Sequence, residues 1–300
     1  MSRVEVLSPR DVPLGGIRAM TVRRTLPHRD RPFIGAWCFL DHYGPHVVGD
    51  GNSGDGTTGG MDVPPHPHTG LQTVSWLFDG EIEHRDSGGV VGLVRPGEVN
   101  LMTAGHGVAH SEVSTPTTRV LHGVQLWVAL PDAARHTQRA FEHFVPRPFE
   151  LPDAAGTALV FLGHLRGVGQ SPVRAFTPLL GAQLDLAPGA RLELDLDPDH
   201  EHGILADRGA ITLDGQALQS GELGCVDPGP ASMVMSAGDD GARVILLGGE
   251  PFPEEIVMWW NFIGRSHEEI VEQRVGWQDG SARFGAVPGY RGSVERLPAP

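Results

Sequence analysis

Pro65-His66-Pro67-His68-Thr69-Gly70-Leu71-Gln72-Thr73-Val74, followed further along by Met102-Thr103-Ala104-Gly105-His106-Gly107-Val108-Ala109-His110-Ser111-Glu112, is the part of the chain on which the fold turns. His66 and His68 are two residues apart, and on an extended backbone such residues point to the same side. Their imidazoles then project about 7 Å apart along one strand and can converge on a point. Pro65 and Pro67 donate no backbone hydrogen bond, which excludes a fully paired central strand and stiffens the segment. His110 and Glu112 repeat the spacing. If the two segments face each other inside one β-barrel, they supply three nitrogens and a carboxylate oxygen. That donor set suits a divalent transition metal, Fe(2+) first, with Mn, Ni, Co, Cu or Zn as the other choices.

The surrounding sequence reads as short strands separated by turns. Its 41 glycines and 25 prolines fit many turns and few long helices. Thr73–Phe78 before Asp79-Gly80, Gly123–Val128 before Pro131, and Leu184–Leu186 and Leu192–Leu196 alternate large apolar with smaller or polar residues, the period of a strand with one buried face. Asp214-Gly215 marks a hairpin turn. A linker is expected at Pro146–Pro152, with two similar β units in tandem, residues 1–145 and 146–300. One helix is expected near the end: Ser266 and Glu269 have the spacing of a capping box, and Ile270, Val271 and Val275 follow at near-helical spacing.

Composition excludes several function classes. The formal net charge of −14 disfavours direct nucleic-acid binding, which relies on Lys and Arg against phosphates. The chain contains no lysine, so Schiff-base chemistry and P-loop nucleotide binding are excluded. Cys38 and Cys225 are too few for a cysteine zinc cluster and are expected as free, buried thiols. No apolar run is long enough for a membrane helix, and the N-terminal residues contain no apolar signal segment, so a cytoplasmic protein is expected. The Gly-rich stretch 48–60 lacks the closing Glu of a calcium loop and is expected to be a flexible loop at the barrel mouth, a candidate lid.

The two quoted stretches, together with His84-Arg85-Asp86-Ser87, Gln125-Leu126-Trp127-Val128, Met258-Trp259-Trp260-Asn261-Phe262, Arg23–Pro27 and Phe39–His42, closely resemble the pirin family of bicupins. The resemblance implies an all-β fold of two tandem cupin-type β-barrels with a short C-terminal helix, and metal only in the first barrel. It places the family's ligands at His66, His68, His110 and Glu112, the same four that the spacing selects. Cupins more widely carry a Glu near Gln72, whereas pirins take the acid from the later strand, so Gln72 is expected to support the ligands rather than join them. Pirins commonly have Arg where this chain has His106, a residue that either meets substrate or faces solvent. His84, Arg85 and Asp86 are expected as a network behind the ligands. Trp259 and Trp260 are read as packing residues, and His200 and His202 as no second metal site.

The resemblance implies a quercetin 2,3-dioxygenase-like oxidoreductase. Its substrates would be dioxygen and a small aromatic or enolic compound, with Glu112 as base on the substrate hydroxyl. The alternative is a metal-binding redox sensor or transcriptional co-regulator that acts through a protein partner. Fold resemblance alone does not choose between them.

Overall fold

The computed structural model describes residues 3–14, 20–49, 60–292 and 294–300; most of the Gly-rich stretch 48–60, and with it the lid expectation, lies outside these. The chain forms two compact units. One comprises Asp11–Val22, Asp41–His143 and Pro253–Pro300; the other comprises Met1–Arg10, Arg23–Leu40 and Phe144–Phe252. A cut at 145/146 therefore describes the division only in part. The C-terminal segment joins the histidine-bearing unit because Leu297 N–H donates to Pro65 O, Tyr290 Oη–H to Asp62 and Thr69 Oγ1–H to Gln273. The N-terminal strand Glu5–Leu7 joins the other unit by pairing with Leu223–Val226.

Each unit is built from a large and a small antiparallel sheet, the cupin arrangement that the family resemblance implies. In the histidine-bearing unit the small sheet has the order Asp62–His68, Val108–Ser114, Ile82–Asp86, Val91–Val94. The Pro-rich strand Asp62–His68 is thus an edge strand, as its missing N–H donors require. The large sheet contains Val99–Thr103, Leu71–Asp79 and Val120–Ala129 side by side. Met20, Val22, Tyr43, Met61, Val63, Leu77, Ile82, Val94 and Leu121 form a core cluster in this unit.

The other unit has its own core, drawn from residues such as Val160, Leu184, Leu194, Ile204, Met235 and Leu246. Its small sheet has the order Arg191–Asp195, Ser232–Ala237, Ile211–Leu213, Gln216–Leu218. Asp214 and Gly215 form the hairpin turn with φ of 46° and 87°, the two positive values that a type I′ turn demands. Cys38 and Cys225 are buried and not joined in a disulfide.

Among the described residues one α-helix, His267–Gln278, is present; it is capped by Ser266, whose Oγ accepts from Glu269 N–H. The Glu269 carboxylate accepts from Arg265 N–H instead of closing the box on Ser266. Its buried face is Ile270, Gln273 and Trp277, while Val271 and Val275 are exposed. The expected apolar face was therefore displaced, because Gln273 is buried by bonding Thr69 and the Ile263 carbonyl. Among the described residues no helix is long and apolar enough to cross a membrane.

Candidate metal centre

The small sheet's register assembles one face. His110 sits opposite His66 on one side and opposite Asp86 on the other; His68 pairs with Val108, and Glu112 with His84. Directly paired residues share a face, so His66, His68, His110, Glu112, His84 and Asp86 all project to the same side. The pairing slips between His110 and Glu112, where Glu112 meets Val63 rather than Pro64. This bulge falls on the Pro64-Pro65 dipeptide, which could not continue the ladder.

Three imidazoles converge. One nitrogen each from His66, His68 and His110 lie within 4.8 Å of one another. Nε2 of His68 is 3.0 Å from Nε2 of His110, and the rings of His66 and His110 are 4.4 Å apart between centroids. Burial pushes the His66 pKa down to about 4, against the opposing bond to the Pro64 carbonyl. It also drives His68 and His110 well below the ordinary value, with the neighbouring imidazoles adding to the effect. At neutral pH all three rings are therefore uncharged. His66 Nδ1–H donates to Pro64 O at 2.9 Å, which leaves its Nε2 with a lone pair. Convergent, proton-poor nitrogens in a buried pocket are what a cation requires, so the residues present fit a divalent transition metal.

Glu112 is not in that cluster. Its carboxylate groups with His84 and His110 within 4.8 Å. Ser75 Oγ–H donates to Glu112 Oε1 at 3.0 Å, and Gln125 Nε2–H reaches Oε2 at 3.5 Å. Burial raises the Glu112 pKa, while His84, Ser75 and Gln125 oppose the rise. A carboxylate in such a setting is a better base than one in water. His66 and Glu112 keep 6% and 7% exposure and His110 none, so solvent meets the site at His66 and Glu112.

The remaining expectations divide. His84 is at the site, 3.2 Å from Asp86 Oδ2 through its Nε2. Burial works against the charge on Asp86, but the bonds from His84, Val90 N–H and Gly88 N–H outweigh it and hold that carboxyl below its ordinary range. Arg85 is not part of this network, since it pairs with Glu83 at 2.7 Å. Gln72 occupies the strand face opposite Ser75 and donates to Thr103 Oγ1, away from the histidines. His106 lies on an exposed turn beside His136, its carbonyl accepting from Arg283. Neither Gln72 nor His106 is brought to the centre.

Ser75, Gln125, Trp127 and Phe141 are the residues that pattern reading missed. Trp127 meets the His68 ring edge-on at 5.1 Å, and Phe141 packs on His84 at 4.8 Å. The available signal was local: Ser75 and Gln125 are polar residues paired across two strands and flanked by apolar Val74, Trp76, Val124 and Leu126. Trp259 and Trp260 pack against the cluster of Phe262, Ile270, Trp277 and Phe284. In the other unit, His202 is buried beside His200 with ring centroids 6.1 Å apart.

The chain is similar to known proteins along nearly its whole length. The chain is 44% identical over 294 residues, 98% of its length and 89% of the relative's, to a Pseudomonas aeruginosa protein named "Putative quercetin 2,3-dioxygenase". It is 34% identical to a pirin-like protein of Caulobacter vibrioides, covering 88% of this chain and 90% of that one. A crystal structure of quercetin 2,3-dioxygenase from Acinetobacter baumannii superposes with a TM-score of 0.91 at 38% identity, covering 99% of this chain and 95% of that one. The family model described as Pirin matches residues 18–128, and that described as Pirin C-terminal cupin domain matches 181–285. With both halves matched and relatives alike along nearly its whole length, the chain belongs to the pirin family of two-cupin proteins.

Proposed function

We propose that the protein is a metal-dependent dioxygenase acting on flavonols such as quercetin or related enolic compounds. His66, His68 and His110 hold one divalent metal, Fe(2+) first among the candidates, and Glu112, whose carboxylate lies outside the three-histidine cluster but beside His110, is the fourth ligand. The observation that carries this reading is the convergence of three buried, uncharged imidazoles, with Nε2 of His68 and His110 3.0 Å apart. The names borne by the Pseudomonas and Acinetobacter relatives point to the same reaction class. A metal in this position supplies Lewis acidity toward a substrate hydroxyl.

The chain's own residues do the rest. Trp127, set edge-on to His68, offers an apolar wall for a flat ring. Glu112 accepts the substrate proton at its carboxylate. Its raised pKa brings it closer to the acidity of an enolic hydroxyl, and Ser75 and Gln125 hold it in place by donating to its two oxygens. Burial at the centre limits bulk water around the reacting groups to the exposed edge at His66 and Glu112.

Glu112→Gln keeps the shape and an oxygen donor but removes the basicity. Oxygen uptake with quercetin, divided by metal bound, should fall about 10²–10⁴-fold in this variant, the range of a positioned base. Unchanged turnover per metal would leave Glu112 as a ligand only. Metal binding without oxygen uptake on any flavonol or enediol in the wild type would instead favour the partner-binding sensor.

A further inference from the structure

One layer from Glu112 lies a buried phenol that the proposed reaction does not use. Tyr43, on strand Trp37–Val47, is 1% exposed. It belongs to the core cluster that also holds Val63, Leu77, Ile82 and Leu121. Each of these residues is in line with a residue of the centre. Val63 is the register partner of Glu112. Side chains two apart on a strand share a face, so Leu77 follows Ser75 by one such step, Ile82 precedes His84 by one, and Leu121 precedes Gln125 by two. The cluster that contains Tyr43 is therefore the layer next to the one that surrounds Glu112.

Two deficits lie in these adjacent layers. Tyr43 Oη has no hydrogen-bond partner among the described residues. A buried hydroxyl left unpaired costs stability, and folded proteins rarely contain one. Glu112 is the converse case. An ionised carboxylate has about four acceptor sites. This one receives Ser75 Oγ–H on Oε1 at 3.0 Å and only a 3.5 Å approach from Gln125 on Oε2. Burial first, then the charges of Glu112 and Asp41, hold the Tyr43 phenol well above its ordinary pKa, so it stays a donor. Asp41 stands about 7 Å back along the same strand and does not accept from Tyr43.

We infer that Tyr43 is a positioning residue for Glu112, its hydroxyl donating to the carboxylate once this turns to complete the centre as fourth ligand. In the metal-free protein Ser75 holds the Glu112 carboxylate, which lies outside the three-histidine cluster. Joining that cluster takes a change of Glu112 side-chain torsion. A carboxylate that gives up the Ser75 bond needs another donor in a site this buried. Tyr43 is a donor at hand that has no bond of its own to break. The inference rests on the ligand set proposed above.

The hydroxyl then favours the loaded protein and disfavours the metal-free one, a pair of signs that a packing tyrosine does not give. The test uses zinc(II) as the probe and Tyr43→Phe, which removes the hydroxyl alone. Metal-free Tyr43→Phe should unfold about 2–4 °C above metal-free wild type, since it loses an unpaired group and no bond. Zinc should bind this variant about 10–100-fold more weakly, the range of a hydrogen bond to a charged group. In a Glu112→Ala background Tyr43→Phe should leave zinc affinity unchanged, because the hydroxyl acts through that carboxylate. The bond itself is visible with ¹³Cζ-labelled tyrosine. The chain has two tyrosines, Tyr43 and Tyr290, and Tyr290 already donates to Asp62. Zinc should move the Tyr43 signal and leave that of Tyr290 in place.

A metal-free Tyr43→Phe protein less stable than wild type, a Tyr43 signal that zinc does not move, or equal zinc losses with and without Glu112 would overturn the inference. Should Glu112→Ala fail to fold, the stability and zinc affinity of Tyr43→Phe decide alone. Wild-type zinc affinity in Tyr43→Phe, with weakened binding in Glu112→Ala, would overturn the inference and leave the ligand reading standing. Undiminished zinc affinity in Glu112→Ala would overturn both.

Discussion

At the scale of single residues, burial and not charge pairing sets the chemistry of the histidines. His66 and His202 lie in different units, and burial brings each from 6.5 to about 4. Their folded pKa lies below the unfolded one, so between pH 6.5 and 4 the unfolded chain binds protons that the folded chain refuses. Stability of the metal-free protein should therefore be unaffected by these groups above pH 7. It should fall as pH drops through 6.5, by up to about 3 kcal/mol for each group, and level off below 4. Urea unfolding midpoints from pH 7.5 to 4 check this; a flat profile would show that the imidazoles are more hydrated than their burial indicates. The ligand candidates were legible because two-residue spacing on a strand is a local property. Ser75 and Trp127 were not, because they reach the centre from the opposing sheet, and only the folded register shows which of their neighbours they meet.

At the scale of elements, the edge strand Asp62–His68 is held by more than its sheet partner. Leu297 N–H donates to Pro65 O, and Gln273 of the helix accepts from Thr69, next to His68. Trp277, 2% exposed, anchors that helix through an edge-on contact with Phe284 and an indole bond to Leu297 O. Trp277→Ala should cost about 3–5 kcal/mol and loosen metal along with the strand. Val271→Ser, at a 57% exposed position, should stay within about 0.5 kcal/mol of wild type. Equal effects in thermal unfolding would mean that the helix face is assigned wrongly. The helix itself was readable from Ser266 and Glu269, but its buried face was not: a buried glutamine reads as polar in sequence, and only its two hydrogen bonds explain its place. Strands and the Asp214-Gly215 turn were readable because alternation and positive-φ turns need no tertiary knowledge.

At the scale of the molecule, the two units share a two-sheet architecture and differ in what their small sheets carry. The first presents His66, His68, His110 and Glu112 on one face; the second places Leu192, Leu194, Met233 and Met235 in its core. Tandem units were visible in the strand pattern. The exchange of terminal segments was not, because Glu5–Leu7 pairs with residues more than 200 positions away. This asymmetry predicts that metal belongs to one unit only. Metal analysis of protein purified without chelators is the most direct test, comparing wild type, His110→Ala and His202→Ala. One equivalent of metal in the wild type, nearly all of it lost in His110→Ala and all of it kept in His202→Ala, is the predicted result. Metal retained by His110→Ala, or lost on His202→Ala, would contradict the assignment of the centre to the small sheet of the histidine-bearing unit.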